Sequence, residues 1–79
     1  MAAGRSTRNK FVPVSSEMIV AVRYDEELRQ LDVIFTTGDT YRYLQVPPLE
    51  HTGLLSSRSK GQYMRKRILG GRYTFVRLD

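Results

Sequence analysis

A chain of 79 residues without a cysteine has room for one thin core and excludes a disulfide framework and a thiolate metal site. No apolar run approaches the roughly 20 residues that a membrane-spanning helix needs, and Met1 to Lys10 lacks the apolar centre of a secretory signal. The formal net charge is +5. It is segregated: Arg58, Lys60, Arg65, Lys66, Arg67, Arg72 and Arg77 fall in residues 51–78, which hold no acid. Without disulfides to staple so small a domain, a reducing, cytoplasmic setting is expected.

The first ten residues are small, polar and basic with no period, so residues 1–13 read as a disordered basic tail and 14–79 as a single domain. Glu17 to Tyr24 alternates as a strand, with Met18, Val20, Val22 and Tyr24 on one face and Ile19, Ala21 and Arg23 on the other. Asp25-Glu26-Glu27 reads as a polar turn. Leu31 to Thr37 alternates again, placing Leu31, Val33 and Phe35 on one side and Asp32, Ile34 and Thr36 on the other. Gly38-Asp39 supplies a tight connection, because glycine reaches positive φ without steric cost. Thr40 to Gln45 is the third strand, with Tyr41 and Tyr43 on one face and Arg42 and Leu44 on the other.

Pro47-Pro48 ends that strand, since proline donates no ladder N–H, and proline suits the first turn of a helix. A short helix over Pro48 to Ser57 follows, anchored by Leu49, Leu54 and Leu55. Ser59 and Gln62 have the spacing of a capping box for a second helix over Lys60 to Leu69. Met64 and Ile68, four apart, share its inner face. Gly70-Gly71 stops it, and Arg72 to Leu78 alternates as a possible short final strand. The fold class is therefore α+β: a three-stranded antiparallel meander with two short helices packed on one face. Phe35, Val33, Tyr41, Tyr43, Leu55 and Ile68 are expected to share its core.

Val14-Ser15-Ser16, Tyr24-Asp25, Leu31-x-Val33-x-Phe35-x-x-Gly38-x-x-Tyr41-x-Tyr43-x-x-Val46-Pro47, Leu54-Leu55, Ser59-Lys60-Gly61-x-Tyr63, Ile68 and Tyr73 together resemble the KTSC domain family. The family takes its name from a short domain at the C-terminus of some lysyl-tRNA synthetases. It also occurs as a free-standing small protein of bacteria and phages. The resemblance implies a fold of this size and no established activity, with RNA binding suggested by the attachment to a synthetase. Tyr63-Met64-Arg65-Lys66-Arg67 is more basic than the family pattern leads one to expect.

Two groups of residues carry the functional reading. Tyr41, Tyr43 and Tyr63 can stack on unpaired bases, or pack as core aromatics, which sheets favour in any case. Arg42, Arg58, Lys60, Arg65, Lys66, Arg67 and Arg72 can contact phosphates, or form a solvated face. Ser59-Lys60-Gly61 is either an anion site at a helix N-terminus or a cap that uses the same N–H groups. His51 reads as a surface helix residue. One histidine and no cysteine assemble neither a nucleophilic triad nor a zinc site, and the acids fall in turns or exposed strand positions. A non-enzymatic binding module with no cofactor, metal or membrane partner is expected. Its partner is a nucleic acid, RNA or single-stranded, or alternatively an acidic protein.

Overall fold

Two short turns set the sheet. In the computed structural model, which describes residues 10–79, Asp25 Oδ1 accepts from the backbone N–H groups of Glu27 and Leu28 at 3.0 and 3.1 Å. Arg29 turns the chain with φ 55°. The strand β2 (Ile19–Asp25) thereby returns as β3 (Gln30–Phe35). Gly38, at φ 99°, then donates its N–H to the Phe35 carbonyl at 2.9 Å. That turn leads into β4 (Thr40–Tyr43).

Edge strands extend this meander on both sides. β1 (Val12–Pro13) pairs with β2, and β5 (Phe75–Arg77) pairs with β4. All neighbours are antiparallel and the spatial order is β1-β2-β3-β4-β5. The expected final strand is thus present. β1 corrects the expected boundary at residue 14: Val12 and Pro13 belong to the sheet. Proline is tolerated there because an edge strand needs its N–H on one side only. Residues 1–9 of the expected tail lie outside the described residues.

Strict alternation fails in β2. Ile19 is opposite Phe35, yet Ala21 is opposite Ile34, so the register slips at Val20. A bulge of this kind turns the strand by one residue. Ile19 and Val22 consequently both enter the core, while Val20 is 47% exposed. This corrects the expected shared face of Val20 and Val22.

The helical layer covers one face. α1 (Pro48–Ser56) begins at Pro48 and buries Leu54 completely. Leu49 and Leu55 are exposed, at 81% and 38%, which corrects their role as anchors. Neighbours on an α-helix point about 100° apart, and here the stripe that meets the core takes in Leu54 and leaves Leu55 at its edge. α2 (Lys60–Tyr63) continues as a π-helical segment over Met64–Ile68, closed by the Leu69 N–H on the Met64 carbonyl at 2.8 Å. Ser59 accepts from the Gln62 N–H at 3.2 Å, which is the first half of the expected capping box. Met64 and Ile68 meet Leu54, Val46, Ile19, Val22, Leu31, Val33 and Tyr43 in one core. Phe35 and Tyr41 pack against its margin, and Leu54 takes the place expected of Leu55.

Candidate functional site

Two carboxylates that were expected to be solvated are buried, and they divide the arginines into engaged and free. Arg23, Asp32 and Arg42 are register partners on β2, β3 and β4, on the face away from the helices. Asp32 is 3% exposed. Its Oδ2 accepts from Arg23 Nε and Nη2 at 3.1 and 2.8 Å. Arg42 Nε and Nη2 reach Oδ1 and Oδ2 at 2.8 and 3.1 Å. Forked pairing of this kind is the geometry guanidinium is built for. The hydrogen bond to Asp32 holds the Arg42 guanidinium above its usual pKa. Arg23 also lies over the Phe11 ring, 4.2 Å from its centroid. Arg42, nominated as a phosphate contact, is committed to Asp32.

The second buried carboxylate is Glu50, in the first turn of α1 and 8% exposed. The Tyr63 hydroxyl donates to Oε1 at 2.7 Å and the Tyr73 hydroxyl to Oε2 at 2.9 Å. Arg67 Nη2 stands 3.6 Å from Oε1, and its guanidinium carbon is 5.7 Å from the Tyr63 ring centroid. Gly53 makes this possible: a Cβ there would fall against the Tyr63 hydroxyl and lie 2.9 Å from its Cζ. Burial first, then the bond to Glu50, pushes the Tyr73 phenol up to about 12 and raises that of Tyr63. Nearby, the Tyr24 hydroxyl donates to the Val46 carbonyl, and its ring stacks on His51 at 4.7 Å between centroids. His51 is half-buried rather than a free surface residue, and burial lowers its pKa.

The nominated aromatics do not form a stacking platform. Tyr43 is 2% exposed, and burial pushes its phenol up to about 12. Tyr41 is half-buried between Phe75, stacked at 5.3 Å, and Phe35, edge-on at 5.9 Å. Tyr63 is held by Glu50. Phe75 is the exposed ring of this row, at 51%, and sequence reading did not single it out.

Apart from Lys10 before β1 and Arg29 in the turn between β2 and β3, the remaining described cations fall on the helical layer and the segment that follows it. Among the described residues, Arg58, Arg65, Lys66 and Arg72 are exposed and have no carboxylate partner. Lys60 Nζ donates to the Ser57 carbonyl at 2.8 Å. Arg58, Lys60 and Arg65 line a cleft of about 570 Å³ with Ser15, Ser16, Glu17, Met18, Ser59 and Gly61. A second depression of about 270 Å³ adjoins it across Arg58 and Ser59, lined also by Ser57, Gln62, Tyr63 and Lys66. Arg72 lines neither depression. No group of His, Cys, Asp or Glu side chains among the described residues is arranged to hold a metal ion.

The small α+β domain with a meander sheet and one helical layer has counterparts among known proteins. The family model described as the KTSC domain matches residues 15–73. The crystal structure of the KTSC domain protein YPO2434 from Yersinia pestis superposes with a TM-score of 0.85 at 33% identity, covering 89% of this chain and 97% of that one. A protein of Stutzerimonas stutzeri is 33% identical over 70 residues, which is 89% of this chain and 99% of the relative. A protein of Tsukamurella paurometabola is 40% identical over 52 residues, 66% of this chain and 78% of the relative. The chain belongs to the KTSC domain family.

Proposed function

We propose that this domain is a non-enzymatic accessory module that binds the backbone of RNA or single-stranded nucleic acid through its helical layer. One observation carries the reading. Among the described residues, Asp32, Asp39 and Glu50 engage Arg23, Arg42, Arg67 and Arg77, whereas Arg58, Arg65, Lys66 and Arg72 have no carboxylate partner. Unpaired cations around a concave surface attract a polyanion and release its counterions. With Tyr43 buried and Tyr63 engaged, affinity rests on phosphate contacts rather than on base stacking. A cytoplasmic setting fits such a partner, and no described helix is long and apolar enough to cross a membrane.

If the exposed cations of this surface engage about four phosphates in all, log affinity falls against log salt with a slope of about −3 for a single strand. Affinity at physiological salt is then on the order of 10⁻⁴ to 10⁻⁶ M. Fluorescence anisotropy of a labelled RNA oligonucleotide against salt measures both. The double variant Arg58→Glu/Arg65→Glu should weaken every oligonucleotide alike and flatten the slope, with the fold intact, because exposed charges contribute little to stability. Absence of binding at low salt overturns the reading.

The alternative partner is a protein. β5 is an edge strand whose Phe75 and Val76 are 51% and 46% exposed, followed by Leu78 at 40%. An edge of this kind can accept a strand from another chain. If nuclease treatment leaves capture of a partner unchanged and a Val76→Pro variant abolishes it, this second reading replaces the first.

A further inference from the structure

We propose that the cleft between Ser15–Met18 and the start of α2 is a subsite for one phosphate group of the nucleic-acid chain, an assignment that rests on the reading above. Its walls are positive: Arg58, Lys60 and Arg65 line it, and Glu17 is the single carboxylate among the described lining residues. Two of its serine oxygens already accept from backbone donors. Ser16 Oγ already accepts from the N–H groups of Met18 and Ile19, at 3.0 and 3.2 Å. Ser59 Oγ accepts from the Gln62 N–H at 3.2 Å. A hydroxyl that spends its lone pairs on backbone donors keeps its own proton to give. Neither proton goes to a protein acceptor among the described residues, so both can turn toward an anion.

Gly61 shapes the floor. A Cβ there would lie 3.6 Å from Met18 Cβ and 3.7 Å from Arg65 Nη1. Any longer side chain at 61 therefore occupies the space between Met18 and the Arg65 guanidinium. Lys60 is anchored by its bond to the Ser57 carbonyl, which leaves two ammonium protons for a ligand. The neighbouring depression continues the path across Arg58 and Ser59 toward Lys66. Two adjoining concavities sharing an arginine suit consecutive units of a chain better than an isolated small anion. Arginine serves the shared position because its planar fork can bridge adjacent phosphate oxygens.

The test separates the cleft from the charge around it. Gly61→Leu plugs the cleft from its floor and Ser15→Phe from its opposite wall, and neither changes the charge. Amide spectra of each variant confirm the sheet and helices before binding is measured. A ten-nucleotide RNA added to the wild-type chain should shift the amides of Ser15 to Met18 and Ser59 to Gly61. Either plug should lower affinity roughly fivefold to tenfold at low salt and flatten the salt slope by about 0.7, one single-strand contact. Plugs that leave affinity and slope unchanged, while Lys66→Glu/Arg72→Glu, both outside the cleft, abolishes binding, overturn the subsite and leave the nucleic-acid reading standing. If the oligonucleotide does not bind at all but millimolar inorganic phosphate shifts the same amides, the nucleic-acid reading fails and the anion site survives. Phosphate that shifts none of them overturns the subsite as well.

Discussion

The Tyr73 hydroxyl donates to Oε2 of Glu50 at 2.9 Å, tying the chain beyond the second helix to the first turn of the first. Tyr63 holds the other oxygen at 2.7 Å, so one carboxylate joins three segments. Tyr73→Phe should cost about 1–3 kcal/mol, the usual loss when a buried acceptor is deprived of its donor. Glu50→Gln should be milder than Glu50→Ala, because it retains an acceptor oxygen and the side-chain volume. Urea denaturation measures all three, and an unchanged midpoint for Tyr73→Phe would show that the bond does not contribute.

Gly53→Ala tests the same clasp without touching a polar group. The new methyl would fall against the Tyr63 hydroxyl. Alanine has the better helix propensity by about 1 kcal/mol, so an unhindered site would be stabilised. Destabilisation is expected instead, with the Tyr63 ring moved off Glu50 and its phenol titrating nearer the ordinary value of 10.0.

Adjacent leucines should behave differently. Leu54 is fully buried and Leu55 is 38% exposed. Leu54→Ala should cost about 2–5 kcal/mol, as for other buried leucines, a large share of the whole stability of so small a domain. Leu55→Ala should stay within about 0.5 kcal/mol. Equal melting temperatures for the two variants would contradict the packing of α1. Phe35→Ala should fall between them, since its ring is half-buried and edge-on to Tyr41.

Alkaline pH should unfold the domain through two phenols. Tyr43 and Tyr73 are raised from 10.0 to about 12, so in the folded state they keep protons that the unfolded chain has released. Their contribution is complete below pH 10 and is lost as the pH rises through 12. Tyrosinate absorbance should show both titrating late, and Tyr43→Phe should remove one late step. At the acid side His51 has the opposite sense. Its pKa is lowered from 6.5, so the unfolded chain takes up its proton first and stability falls as the pH drops below 6.5. His51→Phe should blunt that slope.

The meander, its turns, both helices and the final strand were legible because each rests on local patterning. The bulge was not: Val20 and Val22 are both β-branched and apolar, and only pairing with β3 reveals that one faces out. β1 was hidden because Pro13 argues against a strand unless the strand lies at an edge. The two buried carboxylates are the larger omission. Asp32 could have been found by pairing strands across the turns, since Arg23 and Arg42 then fall opposite it and supply its countercharge. Glu50 had no such signal, because Tyr63 and Tyr73 reach it through tertiary packing. The basic residues stood out by type and by their concentration in the last third of the chain, but the division between Arg42 and Arg67, engaged by carboxylates, and Arg58, Arg65 and Lys66, without a carboxylate partner among the described residues, depends on where those acids lie.

The order of strands in the sheet repeats their order in the chain throughout, although both helices are inserted in sequence between β4 and β5. β2, β3 and β4 meet across short turns and can pair early, as local contacts do. β5 is expected to pair later, because both helices lie between it and β4 in sequence and its pairing closes a long loop. Its backbone is held by short rungs, among them Leu44 N–H to Thr74 and Leu78 N–H to Thr40 carbonyls at 2.8 Å. This strand should therefore be the last to lock and the first to release its amide protons to exchange, while Leu31 and Val33 at the centre wait for global unfolding. Each release uncovers the Tyr41 ring from beneath Phe75, so the most transient part of the sheet also governs how long that aromatic surface is open to solvent.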